Sequence, residues 1–289
     1  MKKQHKFIVK EEDAGKRIDY VLAQKYSQYS RSLINKQIQA GEVIISSRSV
    51  KSSYKLKIGD KVNFNINIAN EEIVPEKIEL DVVFEDKDLL VINKPAGLVM
   101  HPAGKHQSGT LANALKSKLD TFYLVHRLDK DTSGLVLVAK NAKTKEYLTK
   151  LFADRKISKT YTALVKGRLT PSSSNLDLPI KREQGKFTIK EDGRSAQSKY
   201  EVIDYFPGYS LIDVCPKTGR THQIRVHLSA LDHPVAGDTL YGGRTEGLAR
   251  QFLHAKSIEF TDWDKKIRKY TSNLPEDLNN FLQDVRNKK

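Results

Sequence analysis

The chain has 289 residues, 38% of them hydrophobic, and 50 Lys and Arg against 35 Asp and Glu, a formal net charge of +15. That length allows one or two domains with real cores, and the charge points to a polyanionic partner, nucleic acid first and an anionic membrane surface second. No apolar run reaches the length of a membrane-spanning helix and the start MKKQHKF has no apolar stretch, so neither a span nor a secretory leader is expected. The single cysteine, Cys215, excludes an internal disulfide framework and fits a reducing cytoplasm.

Residues 1–70 hold 14 basic and 6 acidic residues, a net of +8, whereas the other 219 hold 36 and 29, a net of +7. The first part reads as a small α+β module. Ile18, Val21 and Leu22 have the i, i+3, i+4 spacing of a helix. Ser30 is placed to cap a second helix carrying Leu33, Ile34 and Ile38, with Gly41 ending it. Val43–Ile45 and Lys61–Phe64 read as strands. Arg31, Lys36, Arg48, Lys51, Lys55 and Lys57 decorate this module; they suit an RNA backbone, or form a merely solvated face. Ile68–Leu80, with Pro75 and several glutamates, marks a composition shift. The expected boundaries are a module over 1–72, a linker over 73–80 and a larger domain over 81–289.

In the larger part, two β-type runs, Leu124-Val125 and Leu135–Val138, flank the polar segment HRLDKDTSGL (His126–Leu135). Asp129 lies there among Arg127 and Lys130, with Asp131 beside them. A carboxylate among cations stays ionised and can serve as nucleophile or base; the plainer reading is a surface turn of solvated charges. Tyr161 falls on a predicted strand, where a tyrosine is most often core with a bonded hydroxyl. Cys215 falls on another, SLIDVCP, as a buried inert thiol. Thr221 is placed to open a helix with Ile224, Leu228 and Leu231 facing inward and Pro234 beyond its end. His222, Arg225 and Ser229 share an adjacent face of it. VRNKK reads as a frayed basic end. His222 and His227 are five apart with no partnering cysteines or HExxH pattern, and Gly242-Gly243 lacks a Walker lysine or a dinucleotide fingerprint. No metal or cofactor is expected.

Two resemblances sharpen this reading. Gly15–Asp19, Ser30–Ser32, Gly41–Val43 and Lys57–Asp60 resemble the RNA-binding domain typified by the fourth small-subunit ribosomal protein. The departure is Ile45-Ser46-Ser47-Arg48, where that family has an Asn-Gly turn. From about Leu80 to Phe260 the chain resembles the RluA/RluD-type RNA pseudouridine synthases. VINKPAGLVMHP, HRLDKDTSGLVLVAKN, KTYTALVKG and KTGRTHQIRVHLSALDHPVAGDTLYGG fall in that family's order and spacing.

The resemblance implies an α+β fold with a mixed, mostly antiparallel sheet, a cleft across it, and Asp129 near its centre. It implies Asp129 as nucleophile, Tyr161 as the family tyrosine and Arg225 as the aspartate's partner. It implies that Arg127 braces the gap left by a flipped uridine. Whether the aspartate attacks the ribose carbon or the sugar passes through a glycal is open. His126, Lys94 and Arg220 are further candidates for RNA contact, with His126 alternatively holding the loop and Lys94 alternatively a loop tie. The expected partner is RNA, large-subunit ribosomal RNA first and transfer RNA second, with no membrane and no obligatory protein partner. A non-catalytic ribosome-assembly factor would not need Asp129, Tyr161 and Arg225 together. A carboxylate glycosidase needs a second opposed carboxylate, which the adjacent Asp131 does not supply.

Overall fold

The structure, a computed structural model, describes residues 2–26, 29, 31–67, 73–103 and 106–287. The chain divides into two units, Met1–Glu72 and Ile73–Lys289.

The first unit contains β1 (Lys2–Ile8), α1 (Ile18–Lys25), α2 (Arg31–Gln39), β2 (Val43–Ile45), β3 (Arg48–Ser49) and β4 (Lys61–Asn67). Its antiparallel sheet has the order β1-β4-β2-β3. Ile18, Val21, Leu22, Ile34 and Ile38 are buried with Val43, Val62 and Phe64, as their helical spacing requires. Ser30, the expected cap of α2, lies outside the described residues. Strand β1 has no counterpart in the sequence reading. Exposed Gln4 and Lys6 alternate there with half-buried His5 and Phe7, which pair with Phe64 and Val62, and so polar a strand carries a weak apolar signal. The β2–β3 turn keeps a left-handed geometry without the Asn-Gly pair, since Ser46 and Ser47 adopt φ 46° and 74°.

The second unit contains β5 (Asp81–Glu85), β6 (Leu89–Lys94), α3 (Leu111–Lys118), β7 (Tyr123–Leu124), β8 (Ser133–Ala139), α4 (Ala142–Ala153), β9 (Ser158–Lys166) and β10 (Ser173–Asp177). There follow β11 (Ile180–Glu183), β12 (Lys186–Ile189), β13 (Gln197–Phe206), β14 (Tyr209–Pro216), α5 (Gln223–Ala230), β15 (Leu253–Thr261), β16 (Ile267–Thr271) and α6 (Glu276–Asn287). The large sheet runs β10-β13-β14-β9-β15-β8-β6-β5, with β16 on β15 and β7 on β8, while β11 and β12 form a separate hairpin. Only the β15–β8 pairing is parallel among the described strands.

Strand β8 is buried on both faces, which is why its sequence is a continuous apolar run rather than an alternating one. Val136 and Val138 face a core shared with Leu111 and Leu115 of α3, Ile224 and Leu228 of α5, and Leu278 and Leu282 of α6. Leu135 and Leu137 face the other core, with Leu148 and Leu151 of α4.

Residues 73–80, expected as a linker, are bound to the second unit. The Asn113 side-chain amide donates to Val74 O (2.8 Å), and the Glu76 carboxylate accepts from Gly109 N (3.0 and 3.1 Å). Leu80 packs against the core. The expected frayed end is helical as far as Asn287; its last two residues lie outside the described ones, as do residues 68–72 at the end of the expected first module. Among the described residues no helix is long and apolar enough to cross a membrane.

Candidate active site

Asp129 sits in the loop between β7 and β8, held at three points. Leu128 is buried in the main core while its neighbour Arg127 is exposed. Lys94, fully buried at the end of β6, donates from Nζ to Lys130 O (2.9 Å), Pro95 O (2.7 Å) and Leu98 O (2.9 Å). Gly134 has φ +112°, and a Cβ there would lie 2.4 Å from Ala255 O, so only glycine lets β8 meet β15 at this point.

Helix α5 brings Arg225 to this loop. Its Nη1 donates to Asp129 Oδ2 at 3.1 Å, and its Nε and Nη2 donate to the two oxygens of buried Asp238 at 2.6 and 2.9 Å. Asp238 Oδ1 also accepts from Leu240 N and Tyr241 N. Burial alone would lower the Arg225 pKa; Asp238 and then Asp129 outweigh it and hold the guanidinium above its ordinary value. The pairing is bidentate on one carboxylate and single on the other, so Arg225 is fixed by Asp238 and in turn orients Asp129. Asp129 Oδ1 accepts no hydrogen bond from the described residues.

The start of α5 differs from expectation. Thr221 is not its cap: His222 occupies that position with φ +55° and makes no capping bond. Gln223 stabilises the turn instead. Its Oε1 accepts from Thr218 Oγ1 (2.7 Å) and Arg220 N (3.0 Å), and its Nε2 donates to Gln197 O and Ser198 Oγ, both at 2.9 Å.

These elements enclose a cleft of about 290 Å³. Asp129 is the only carboxylate among the described residues lining it, against Arg127, Arg155, Lys159, Lys217, Arg220 and Arg225. Such a wall suits a polyanion. Tyr161, on β9, presents its ring to the cleft, and burial, reinforced by the Asp129 charge, pushes its phenol pKa above the ordinary value. The hydroxyl is therefore held protonated, and its phenolate is less available as a base than that of a free tyrosine. Lys159, two residues before it, has its Nζ 5.6 Å from the Phe152 ring centroid, and burial lowers its pKa.

The structure brings Asp129, Tyr161, Arg225, Arg127 and Arg220 to one cleft. Arg220 is half-buried, with Nε donating to Ser195 O (3.0 Å). Two of the RNA-contact candidates show the geometry of their alternative, holding the loop. His126 lines the cleft, but its Nε2 accepts from Leu137 N at 2.8 Å and its ring packs 5.0 Å from that of Phe152. Burial, helped by the Lys159 charge, lowers its pKa to about 3, so it braces the loop as a neutral ring. Lys94 is a loop tie: it is fully buried, and its three N–H donors are spent on carbonyls. Asn93 binds Asp81 at 2.8 Å across β6 and β5 and does not line the cleft.

In the first unit Arg31 is exposed but ion-paired with buried Asp19 (2.8 Å), which Arg17 also contacts. Lys36 is exposed on α2. Arg48 shares a shallow depression with Lys51 and Lys57. Cys215 is half-buried rather than buried, 3.6 Å from Thr160 Oγ1.

The tie role of Lys94 is testable. Lys94→Met strands three carbonyls, each worth about 1–3 kcal/mol when unpaired and buried. Urea unfolding should show a loss of roughly 3 kcal/mol or more. A variant as stable as the native chain but weaker in RNA binding would return Lys94 to the RNA-contact set.

Asp238 went unassigned in the sequence reading although it lies inside the quoted arginine motif. The available signal was an acidic residue in a glycine-flanked turn, Gly237-Asp238. Nothing in linear spacing tells which cation such a residue meets.

Residues 88–230 match the RNA pseudouridylate synthase family, and residues 16–62 match the S4 domain. The chain is 35% identical to the uncharacterized RNA pseudouridine synthase YlyB of Bacillus subtilis, over 96% of each protein. It is 36% identical to ribosomal large subunit pseudouridine synthase D of Pseudomonas aeruginosa, over 91% of this chain and 90% of that one. In structure it resembles human RNA pseudouridylate synthase domain containing 4, with a TM-score of 0.60, 26% identity, and 71% of this chain and 93% of that chain covered. A basic S4 unit, a cleft walled by cations around one oriented carboxylate, and this similarity over nearly the whole length make the chain a member of the RNA pseudouridine synthase family, an RNA-binding isomerase.

Proposed function

We propose that this enzyme converts specific uridines of large-subunit ribosomal RNA to pseudouridine, with Asp129 as the nucleophilic group. The observation that carries the reading is the Asp129 carboxylate at the cleft, with one oxygen held by buried Arg225 and the other accepting no hydrogen bond from the described residues. A uridine stacked in a helix cannot reach it, so the target nucleotide flips out, and exposed Arg127 fills the space it leaves. The uracil lies against the Tyr161 ring. Asp129 acts at the ribose as the N1–C1′ bond breaks. The base turns, C5 bonds to C1′, the C5 proton leaves, and N1 gains a proton, so the product is an isomer. The preference for ribosomal RNA rests on the relatives named ribosomal large subunit pseudouridine synthase D. Mapping pseudouridines in RNA from a deletion strain tests it. Loss of one or more sites in large-subunit ribosomal RNA supports the reading, and losses confined to transfer RNA replace it.

The first unit serves as the anchor. Neutralising Arg48, Lys51 and Lys57 together as glutamines should weaken binding and flatten the slope of log affinity against log salt by roughly 2–3, since each cation releases about one counterion. Single-turnover rates at saturating enzyme should hold. An unchanged slope would remove this depression from the interface.

A further inference from the structure

Beside Asp129 stands a second polar group that the reaction as written leaves idle. His222 lines the cleft, and its Nε2 lies 3.9 Å from Asp129 Oδ2. Its Nδ1 lies 2.9 Å from the Tyr241 hydroxyl, which accepts from Phe187 N at 3.3 Å. That chain is satisfied by one tautomer, which we assign from the hydrogen bonds. With the Phe187 amide donating into the tyrosine oxygen, the hydroxyl proton is satisfied by pointing at Nδ1, which leaves the histidine proton on Nε2. This arrangement also turns an N–H toward the Asp129 carboxylate, where a bare lone pair would be repelled. Burial lowers the His222 pKa, against the opposing pull of Asp129, so the ring is a neutral donor at pH 7.

The ring is held there at a cost. His222 has φ +55°, a region that side-chain-bearing residues seldom adopt, and strain of this kind gathers at functional positions. The bonds of Gln223 lock the turn, and the rings of Phe187 and Tyr241 meet the imidazole edge-on at 5.5 and 5.6 Å.

A separation of 3.9 Å is too long for a direct hydrogen bond. A hydroxyl placed to one side of the pair spans it, accepting from Nε2 and donating to Oδ2. Uracil O2 and O4 and ribose O4′ only accept, and uracil N3 only donates. The one group next to C1′ that does both is the 2′-hydroxyl. We infer that His222 and Asp129 together read the ribose 2′-hydroxyl of the flipped nucleotide, which makes His222 a specificity-determining residue for ribose over deoxyribose. The inference rests on the proposed placement of C1′ at Asp129.

The test crosses a protein change with a substrate change. An RNA fragment spanning a mapped target uridine is made with ribose or with 2′-deoxyribose at that nucleotide alone. Native enzyme, His222→Phe and His222→Gln are compared by single-turnover efficiency. The deoxy fragment is also read as a competitive inhibitor, so the comparison survives if it is not turned over. Native enzyme should favour ribose by roughly 10-fold or more, about the worth of one hydrogen bond. His222→Phe keeps a ring but no donor, and should bring the preference to within about twofold. His222→Gln keeps an N–H near the Nε2 position and should restore most of the preference. A preference equally large in His222→Phe overturns the inference, and so does an equal loss on both fragments, which is the mark of a structural role. If native enzyme modifies only transfer RNA, the ribosomal assignment fails separately, and the same cross is run on the transfer RNA fragment.

Discussion

Asp129→Asn should abolish pseudouridine formation, by roughly 10⁴-fold or more as for nucleophiles elsewhere, while RNA affinity stays within about threefold of native. The substitution is nearly isosteric, and the carbonyl oxygen of the new amide can still accept from Arg225 Nη1, so the loop keeps its contact. Leu128, Lys94 and Gly134 continue to hold the loop from other sides. What is lost is the negative charge in a cleft otherwise lined by cations. Removing it leaves that wall more positive, so binding has no electrostatic reason to weaken. The check pairs a filter-binding isotherm with a radiochemical assay of pseudouridine under single-turnover conditions. Turnover near native would remove Asp129 from the chemistry. Lost binding with a folded variant would mean that its main work is to shape the loop.

Arg225→Met should damage both rate and stability, and the structure says why the two go together. The guanidinium is 7% exposed and lies between two carboxylates, with the shorter bonds going to Asp238. Methionine fills similar volume but leaves Asp238, 1% exposed, without its counter-charge. Breaking a buried pair in this way costs about 3–5 kcal/mol. The rate should fall on the order of 10²-fold or more, because Asp129 loses the group that orients it. A second variant separates the effects. In Arg225→Met with Asp238→Asn the stranded charge is gone, and denaturant unfolding should recover a large part of the stability. The rate should not recover. Restored activity in the double variant would mean that Arg225→Met failed only by unfolding and that the Asp129–Arg225 contact is incidental.

Asp129, Tyr161 and Arg225 were legible as candidates because each falls in a motif that resembles the family's, within a recognisable local pattern. Asp129 lies in a polar break between two apolar strands, Tyr161 on a strand, and Arg225 on an amphipathic helix. For Lys94 and His126 the sequence left two roles open, RNA contact or holding the loop. Both stand in motifs at the Asp129 loop, where a basic residue reads equally as an RNA ligand or as a tie. Their work depends on where carbonyls and amides from other segments arrive: Lys130 O is 36 residues from Lys94 and Leu137 N is 11 from His126. The start of α5 was misplaced for a related reason. Thr221 is a good cap by residue type, but the side chain of Gln223, bonded back to Thr218 and to the neighbouring strand β13, organises the turn one residue later.

By itself the sequence determined the composition of the two parts, the alternation of buried and exposed faces, the covered central strand β8 and the family. These follow from the periodicity of apolar residues and from short motifs, both of which are local properties of a chain. Beyond the Asp129–Arg225 pair that the resemblance implied, tertiary structure decided the partners. It joined Arg225 to Asp238 as well as to Asp129, turned Lys94 inward, engaged the His126 ring with the β8 backbone, and set His222 beside Asp129 through Tyr241 and Phe187. The physical reason is that ion pairs, buried donors and tautomers depend on which atoms meet across the fold, and segments tens of residues apart meet only once the sheet has assembled.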